Sequence, residues 1–370
     1  MGQGRDNIIT PDAIGRYLRA AYGARARLLG MAPLGLETQE GLKAYGYGRP
    51  LHVRYEVDGE RREAVLRTMA PDPFGHDRRS DRVGALVGAY DTFGGVAGHV
   101  QPLAVGTIDA DGQLVPLASG EPFFLTTYAP GTLYARDLGA AAEREHATPR
   151  DLGRAVRLAR WLVDLHAGRE PAGAYARDLR DTLGSGEGIF GLCDSYPADD
   201  PVATPARLEA LERAAVGWRW RLRDRGARAR RTHGDFHPFN LLFDDDDHLT
   251  VLDMSRGGAG EPADDVACLT LNYVFFALRT RGAFTGALRE LWGVVWQTYL
   301  EESGDRAITE VVAPWFAWRA LVLASPVWYP DVADDVRNRL LSFAERLLDG
   351  ATFDPSHPEP LLEAAPERRS

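Results

Sequence analysis

Near Pro130-Gly131 the spacing of apolar residues changes, and that change limits the folds open to this chain. Before it, apolar side chains alternate in short runs. Leu51, Val53, Tyr55 and Val57 share one face of LHVRYEV, Asp58-Gly59 is a hairpin signal, and EAVLRTM returns as the partner strand. Further strands are expected near Val100–Ile108, Leu114–Leu117 and Phe123–Tyr128. Thr10-Pro11-Asp12 reads as a cap and first turn of a helix to about Tyr22. Residues 77–93 carry Val83, Leu86, Val87 and Tyr90 at helical spacing. After the change the period is helical. Thr148-Pro149 opens a helix on which Leu152, Ala155, Val156, Ala159, Leu162, Val163 and His166 share a face. Similar patterns follow Pro205 and recur over 264–281, 284–302 and 331–348. The expected class is α+β, with a small strand-rich lobe over 1–128 and a larger helical lobe over 129–350. Residues 351–370 are Pro- and charge-rich and are expected to form a flexible tail.

Composition narrows the function. The formal net charge is −10, which argues against nucleic acid as a partner, because that would need a basic footprint. No apolar run reaches the roughly 18–20 residues that span a bilayer, and MGQGRDNIITPDA has no apolar signal core. Two cysteines, Cys193 and Cys268, allow no disulfide framework and no cysteine-based metal site. A cytoplasmic protein with no membrane partner is expected. Nothing in the sequence sets its oligomeric state.

The chemistry concentrates in THGDFHPFNLLFDDDDHLTVLDMSRG, from Thr232 to Gly257. Two apolar runs flank DDDDH, the pattern of a hairpin with an acidic tip. Asp244 to Asp247 read as a charged turn facing water. Asp235 precedes the first run, Asn240 lies five residues later, and Asp253 ends the second run. An Asp, an Asn five residues on and a strand-terminal Asp form the constellation that moves phosphoryl groups. One Asp takes or orients the acceptor hydroxyl. The Asn and the second Asp offer the oxygen ligands that Mg²⁺ prefers. His233 reads first as an imidazole that fixes the loop, with a proton shuttle as the alternative; His237 reads as structural, and His166 reads as a core histidine. A metal-dependent phosphoesterase would need more ligands than these histidines supply at their spacing.

HGDFHPFN, then Leu252-Asp253, then GEPADDVA from Gly260 to Ala267, resemble the aminoglycoside phosphotransferase and choline kinase-like family. The resemblance implies a two-lobed fold similar to that of protein kinases and a kinase of small-molecule hydroxyls. It makes Asp235 the catalytic aspartate, Asn240 and Asp253 the Mg²⁺ ligands, and Asp265 a brace for the catalytic loop. It also implies ATP, or GTP, with the base against the backbone of Thr127 and Ala129 and the phosphates under Gly46 and Gly48. Antibiotic resistance or metabolite tailoring follows only by analogy.

The nucleotide side departs from the family pattern. The strand position for the phosphate-holding lysine is Arg67, and the following helix offers Asp81 where a Glu is usual. Lys43 is the only lysine among 43 basic residues and lies beside the glycine tract, so it is a second candidate for the phosphates. Arg67 also motivates the alternative of a pseudokinase that binds nucleotide without transfer. On the acceptor side, the glycine-rich stretch from Arg180 to Pro197 reads as a loop over the pocket, with Glu187 and Asp194 as polar contacts. Trp315, Trp318, Trp328 and Tyr329 are either core or a platform for sugar or cation, and Trp328 is the candidate platform.

Overall fold

The structure is a computed structural model, and it describes residues 9–34, 50–70, 76, 79–117 and 121–363. These fall into two compact units, one ending at Pro130 and the other running on from Gly131.

The first unit begins with α1 (Pro11–Tyr22). Thr10 caps it, its side chain accepting the Ala13 N–H at 3.2 Å, and Pro11 occupies the first turn, where no N–H is missed. The strands are β1 (Arg27–Pro33), β2 (Leu51–Val57), β3 (Glu60–Arg67), β4 (Pro102–Ile108), β5 (Leu114–Pro116) and β6 (Glu121–Thr127), with α2 (Arg79–Phe93) between β3 and β4. They form one antiparallel sheet in the order β1-β2-β3-β6-β4-β5. The sequence pattern located every strand except β1, whose RLLGMAP does not alternate. On one face Ile14 and Leu18 of α1 bury against Val53, Tyr55, Ala64, Leu66 and Leu125. The other face carries Phe124, which meets Phe93 of α2 edge-on at 4.9 Å. Arg67 pairs directly across from Phe124, so it emerges on the α2 face.

The second unit is mostly helical: β7 (Thr132–Leu133), α3 (Tyr134–Ala142), α4 (Pro149–His166), α5 (Ala172–Gly184), α6 (Ile189–Ser195) and α7 (Pro205–Leu222) come first. Then follow β8 (Arg230–Thr232), β9 (Leu241–Phe243), β10 (Leu249–Val251), β11 (Gly258–Gly260), α8 (Ala263–Arg281), α9 (Ala287–Ser303), α10 (Ile308–Val311), α11 (Ala313–Leu323) and α12 (Asp334–Leu348). A reciprocal capping box starts α4, in which Thr148 accepts the Asp151 N–H while Asp151 accepts the Thr148 N–H at 2.8 Å. Helix α8 is buried from Ala263 to Leu278 and forms the axis against which α9 and α11 pack. No helix of the described residues is long and apolar enough to cross a membrane.

Two expectations need correction. The stretch from Arg180 to Pro197 is not one loop: α5 runs to Gly184 and α6 begins at Ile189. The glycines serve close approaches there; a Cβ on Gly191 would lie 2.2 Å from the Gly186 carbonyl oxygen. Residues 351–363 are not a free tail. Phe353, Leu361 and Leu362 are buried, and the Trp292 indole donates to the Pro355 carbonyl at 2.7 Å. The aromatic and leucine side chains anchor a segment whose prolines and charges had suggested fraying.

Candidate active site

The hairpin forms as its two apolar runs require. Leu241, Leu242 and Phe243 pair with Val251, Thr250 and Leu249, and the Leu252 N–H donates to the Asn240 carbonyl at 2.8 Å. That bond sets Asn240 level with Leu252, so Asp253 stands one residue beyond, at the same open end. Asp253 adopts φ +51°, a left-handed conformation that side-chain-bearing residues seldom take.

The loop before β9 is closed on itself. The His237 N–H donates to the Asp235 carbonyl at 2.9 Å, and the Asn240 N–H donates to the His237 carbonyl at 2.8 Å. The Asn240 side-chain amide donates to the same Asp235 carbonyl at 3.0 Å, which leaves its Oδ1 as the atom available to a cation. Gly234 has φ +79°, and a Cβ there would lie 2.5 Å from the Arg256 carbonyl oxygen, so glycine is required. His233 is fully buried. Its Nδ1 accepts the Asp235 N–H at 3.2 Å and its Nε2 faces the Leu252 carbonyl at 2.8 Å, an arrangement that suits the neutral ring. Burial lowers its pKa further. The imidazole therefore ties the loop to the hairpin.

Asp265, near the start of α8, braces this loop from behind. Its two carboxylate oxygens accept the His233 N–H at 2.7 Å and the Gly234 N–H at 2.8 Å. The ring of His166 bridges Asp265 at 3.0 Å and the Tyr299 hydroxyl at 2.8 Å. Burial presses the Asp265 pKa upward, but His166 and His233 hold it below the ordinary carboxylate value.

Asp235 itself faces two guanidinium groups. Its Oδ1 lies 3.1 Å from Arg256 and 3.0 Å from Arg319, while Oδ2 lies 3.4 Å from His237 Nε2. Burial works against its charge, yet Arg256, His237 and Arg319 keep the carboxyl well below the usual carboxylate range. Asp235 is thus held as the carboxylate, a hydrogen-bond acceptor. Each arginine has a second acid. Arg256 pairs with Glu187 at 2.9 Å, and Arg319 pairs with Asp264 at 2.5 Å. Trp318 sits beneath Arg319, with the guanidinium 3.8 Å from its ring centre, and its indole N–H donates to the Glu187 carbonyl at 2.6 Å.

This geometry changes several sequence assignments. Glu187, a candidate acceptor contact, pairs with Arg256. Asp194 is exposed on α6, near the buried Cys193 thiol and Glu212. Trp328 is only 4% exposed, and Trp315 is fully buried, so neither offers a ring face to a ligand. The Thr127 N–H already donates to the Gln101 carbonyl at 3.1 Å and is not available to a base. Ala129 is half-buried near the end of the first unit. Arg67 closes β3. Lys43, Gly46 and Gly48 lie outside the described residues, as does the side chain of Asp81 near the start of α2. Asp247 in the acidic tip is no bare surface charge, since it accepts from Arg150 at 2.9 Å and from Arg154 at 2.7 Å.

Sequence reasoning missed Arg256, Arg319 and Asp264. The available signal for Arg319 was a lone charge in the otherwise apolar FAWRALVL, which demands a buried partner.

The oxygen set fits Mg²⁺. One amide oxygen and one carboxylate sit at the open end of a short hairpin, and a hard cation would complete its shell from phosphates and water. Among the described residues no three His, Cys, Asp or Glu side chains gather as a metal cage.

A family model described as the phosphotransferase enzyme family matches residues 51–301, about two thirds of the chain. The chain belongs to that family. No curated protein sequence matches it. Among solved structures it is similar to a thermostable mutant of aminoglycoside phosphotransferase APH(4)-Ia in complex with ADP and hygromycin B. The identity is 14%, 92% of this chain and 100% of the other are covered, and the TM-score is 0.52. A second mutant of the same enzyme, with AMP-PNP and hygromycin B, gives 15% identity, 92% and 99% coverage and a TM-score of 0.52. Aminoglycoside phosphotransferase APH(3'')-Id from Streptomyces rimosus gives 18%, 87% and 100%, with a TM-score of 0.48. The APH(4)-Ia likeness shows the fold: α+β, with a sheet-based first lobe and a helical second lobe, as in kinase-like phosphotransferases.

Proposed function

We propose that this phosphotransferase moves the γ-phosphoryl group of ATP, or GTP, to a hydroxyl of a small polar metabolite or antibiotic, with Mg²⁺. The observation that carries the reading is the joint placement of Asp235, Asn240 and Asp253 by one hairpin and one braced loop. Asp235 Oδ2 takes the hydrogen bond of the acceptor hydroxyl. The acceptor oxygen forms a bond to the γ-phosphorus, the bridge to the β-phosphate breaks, and the nucleoside diphosphate leaves with that oxygen. The transition state is loose, so the hydroxyl proton moves late and a carboxylate of low pKa is adequate to orient it and receive it. Asn240 Oδ1 and the Asp253 carboxylate would hold Mg²⁺, which would offset negative charge on the phosphates when bound. Arg67 is the candidate phosphate contact of the first unit. The nucleotide use of the APH(4)-Ia structures supports this reading by likeness of fold.

Binding of nucleotide without transfer is the alternative that Arg67 raises, and the intact Asp235, Asn240 and Asp253 arrangement favours transfer. A mass-spectrometric screen of a hydroxyl-compound library with Mg²⁺ and ATP or GTP tests the choice. A mass gain of one phosphate on a library member is expected. Nucleotide binding with no phosphorylated product, across sugars, amino alcohols, nucleosides and antibiotics, would favour the alternative.

A further inference from the structure

Arg319 lies on α11, a helix buried along nearly its whole length, and is itself 4% exposed. A buried guanidinium needs partners for its fork of donors. Asp264 supplies one, taking Nη2 at 2.5 Å and Nε at 3.2 Å through the same oxygen. Nη2 also reaches the Gly234 carbonyl at 2.8 Å. Those contacts satisfy that edge of the fork. Nη1 is pointed elsewhere, at Asp235 Oδ1, 3.0 Å away. The ring of Trp318 lies beneath the guanidinium plane and restricts its tilt.

Asp235 Oδ1 is therefore crowded. It meets Arg319 and Arg256, and the Cys268 sulfur stands 4.0 Å off. Oδ2 has His237 Nε2 at 3.4 Å, longer than a normal hydrogen bond, and is the oxygen left for an incoming hydroxyl. The two arginines differ in how firmly they are held. The Arg256 side chain is 22% exposed and leans on Glu187, whereas the Arg319 side chain is 5% exposed and sits on the equally buried Asp264.

We infer that Arg319 is a positioning residue: it pins Asp235 by Oδ1 and so turns Oδ2 toward the acceptor hydroxyl. The inference rests on the phosphotransfer reading only for its kinetic consequence. The fixed orientation of the Asp235 carboxylate is a structural claim of its own. It also gives α11 a part in the chemistry, since the helix that carries Trp318 carries the residue that aims the base.

The test uses the full-length chain and two variants. Arg319→Lys keeps the charge and loses the fork. Arg319→Gln combined with Asp264→Asn removes both charges of the buried pair, so that neither is left stranded if the single change does not fold. Crystal structures of parent and variants should show the Asp235 carboxylate rotated or split between orientations once Arg319 is changed. With an acceptor from the screen, turnover should fall about 10- to 100-fold while acceptor KM and nucleotide Kd stay within about threefold. A folded double variant that keeps both the parent carboxylate orientation and the parent turnover overturns the inference. So does a variant whose turnover, nucleotide affinity and melting temperature all decline together, the signature of a structural arginine. If the parent phosphorylates no hydroxyl, the phosphotransfer reading falls, and the carboxylate orientation alone decides the role of Arg319.

Discussion

Asp265 takes the backbone N–H of His233 at 2.7 Å, across 32 residues of sequence, and holds the loop that presents Asp235. The same carboxylate accepts the Gly234 N–H and the His166 ring, so three donors depend on one buried side chain. Asp265→Ala would leave them without an acceptor and should cost about 3 kcal/mol or more of stability. Turnover should fall by about 100-fold, because the loop loses its register with the hairpin. Thermal melting and steady-state kinetics on the purified variant check both. A variant with parent-like melting and turnover would remove the brace from the account.

Asp253 is the proposed carboxylate ligand of Mg²⁺. Asp253→Asn keeps the shape and loses the anionic ligand, so the Mg²⁺ concentration for half-maximal activity should rise by about tenfold or more at fixed nucleotide. Asn carries a carboxamide that still tolerates the left-handed backbone at this position, so folding should be preserved. An unchanged Mg²⁺ titration would mean that Asp253 is no ligand.

The acidic tip divides. Asp245 and Asp246 are exposed, and replacing both with Ser should change stability by less than about 0.5 kcal/mol. Asp247 instead ties the hairpin to α4 through Arg150 and the buried Arg154. Asp247→Ser should cost about 1–3 kcal/mol, since it strips a buried guanidinium of one acceptor. Burial opposes the Asp247 charge, but Arg150 and Arg154 together outweigh it and lower its pKa in the fold. A depressed folded pKa stabilises above the unfolded value near pH 4 and loses that effect as pH falls through the folded value. The melting difference between parent and Asp247→Ser should therefore be full at pH 7 and shrink on acidification below about pH 4. A pH-independent difference would point to packing instead of charge.

The hairpin was legible because its information is local. Two apolar runs, a turn between them and polar residues at fixed offsets are all the fold needs there, and Leu241 to Val251 pair accordingly. Arg319 was not legible as a partner of Asp235, because 84 residues separate them and α11 is apolar on every side, leaving no stripe to show which way it faces. The pairing of Glu187 with Arg256 was hidden for a similar reason: no spacing rule links the two, 69 residues apart. The helix from Ile189 to Ser195 was hidden by Gly191 and the glycines before it; Gly191 allows close backbone contact and does not break the helix in that setting.

Arg67 and Lys43 make a separable pair. Arg67 closes a central strand on the α2 face, where its backbone pairs with Phe124 of β6. If it holds the donor phosphates, Arg67→Ala should raise nucleotide KM and lower turnover, and Arg67→Lys should restore part of both. Lys43→Ala should then have the smaller effect. The reverse ranking would assign the phosphates to Lys43, and parent-like kinetics in both alanine variants would remove Arg67 and Lys43 from the nucleotide site.

The central claim is that Asp235 orients the hydroxyl that receives the phosphate, and one comparison tests it most directly. Transfer of the γ-phosphate to an acceptor from the screen is measured for the parent and for purified Asp235→Asn, with nucleotide affinity determined alongside. Asp235→Asn should bind nucleotide as the parent does and transfer about 10²- to 10⁴-fold more slowly. Parent-like transfer by a folded Asp235→Asn chain would contradict the assignment of Asp235 and, with it, the mechanism built around the hairpin.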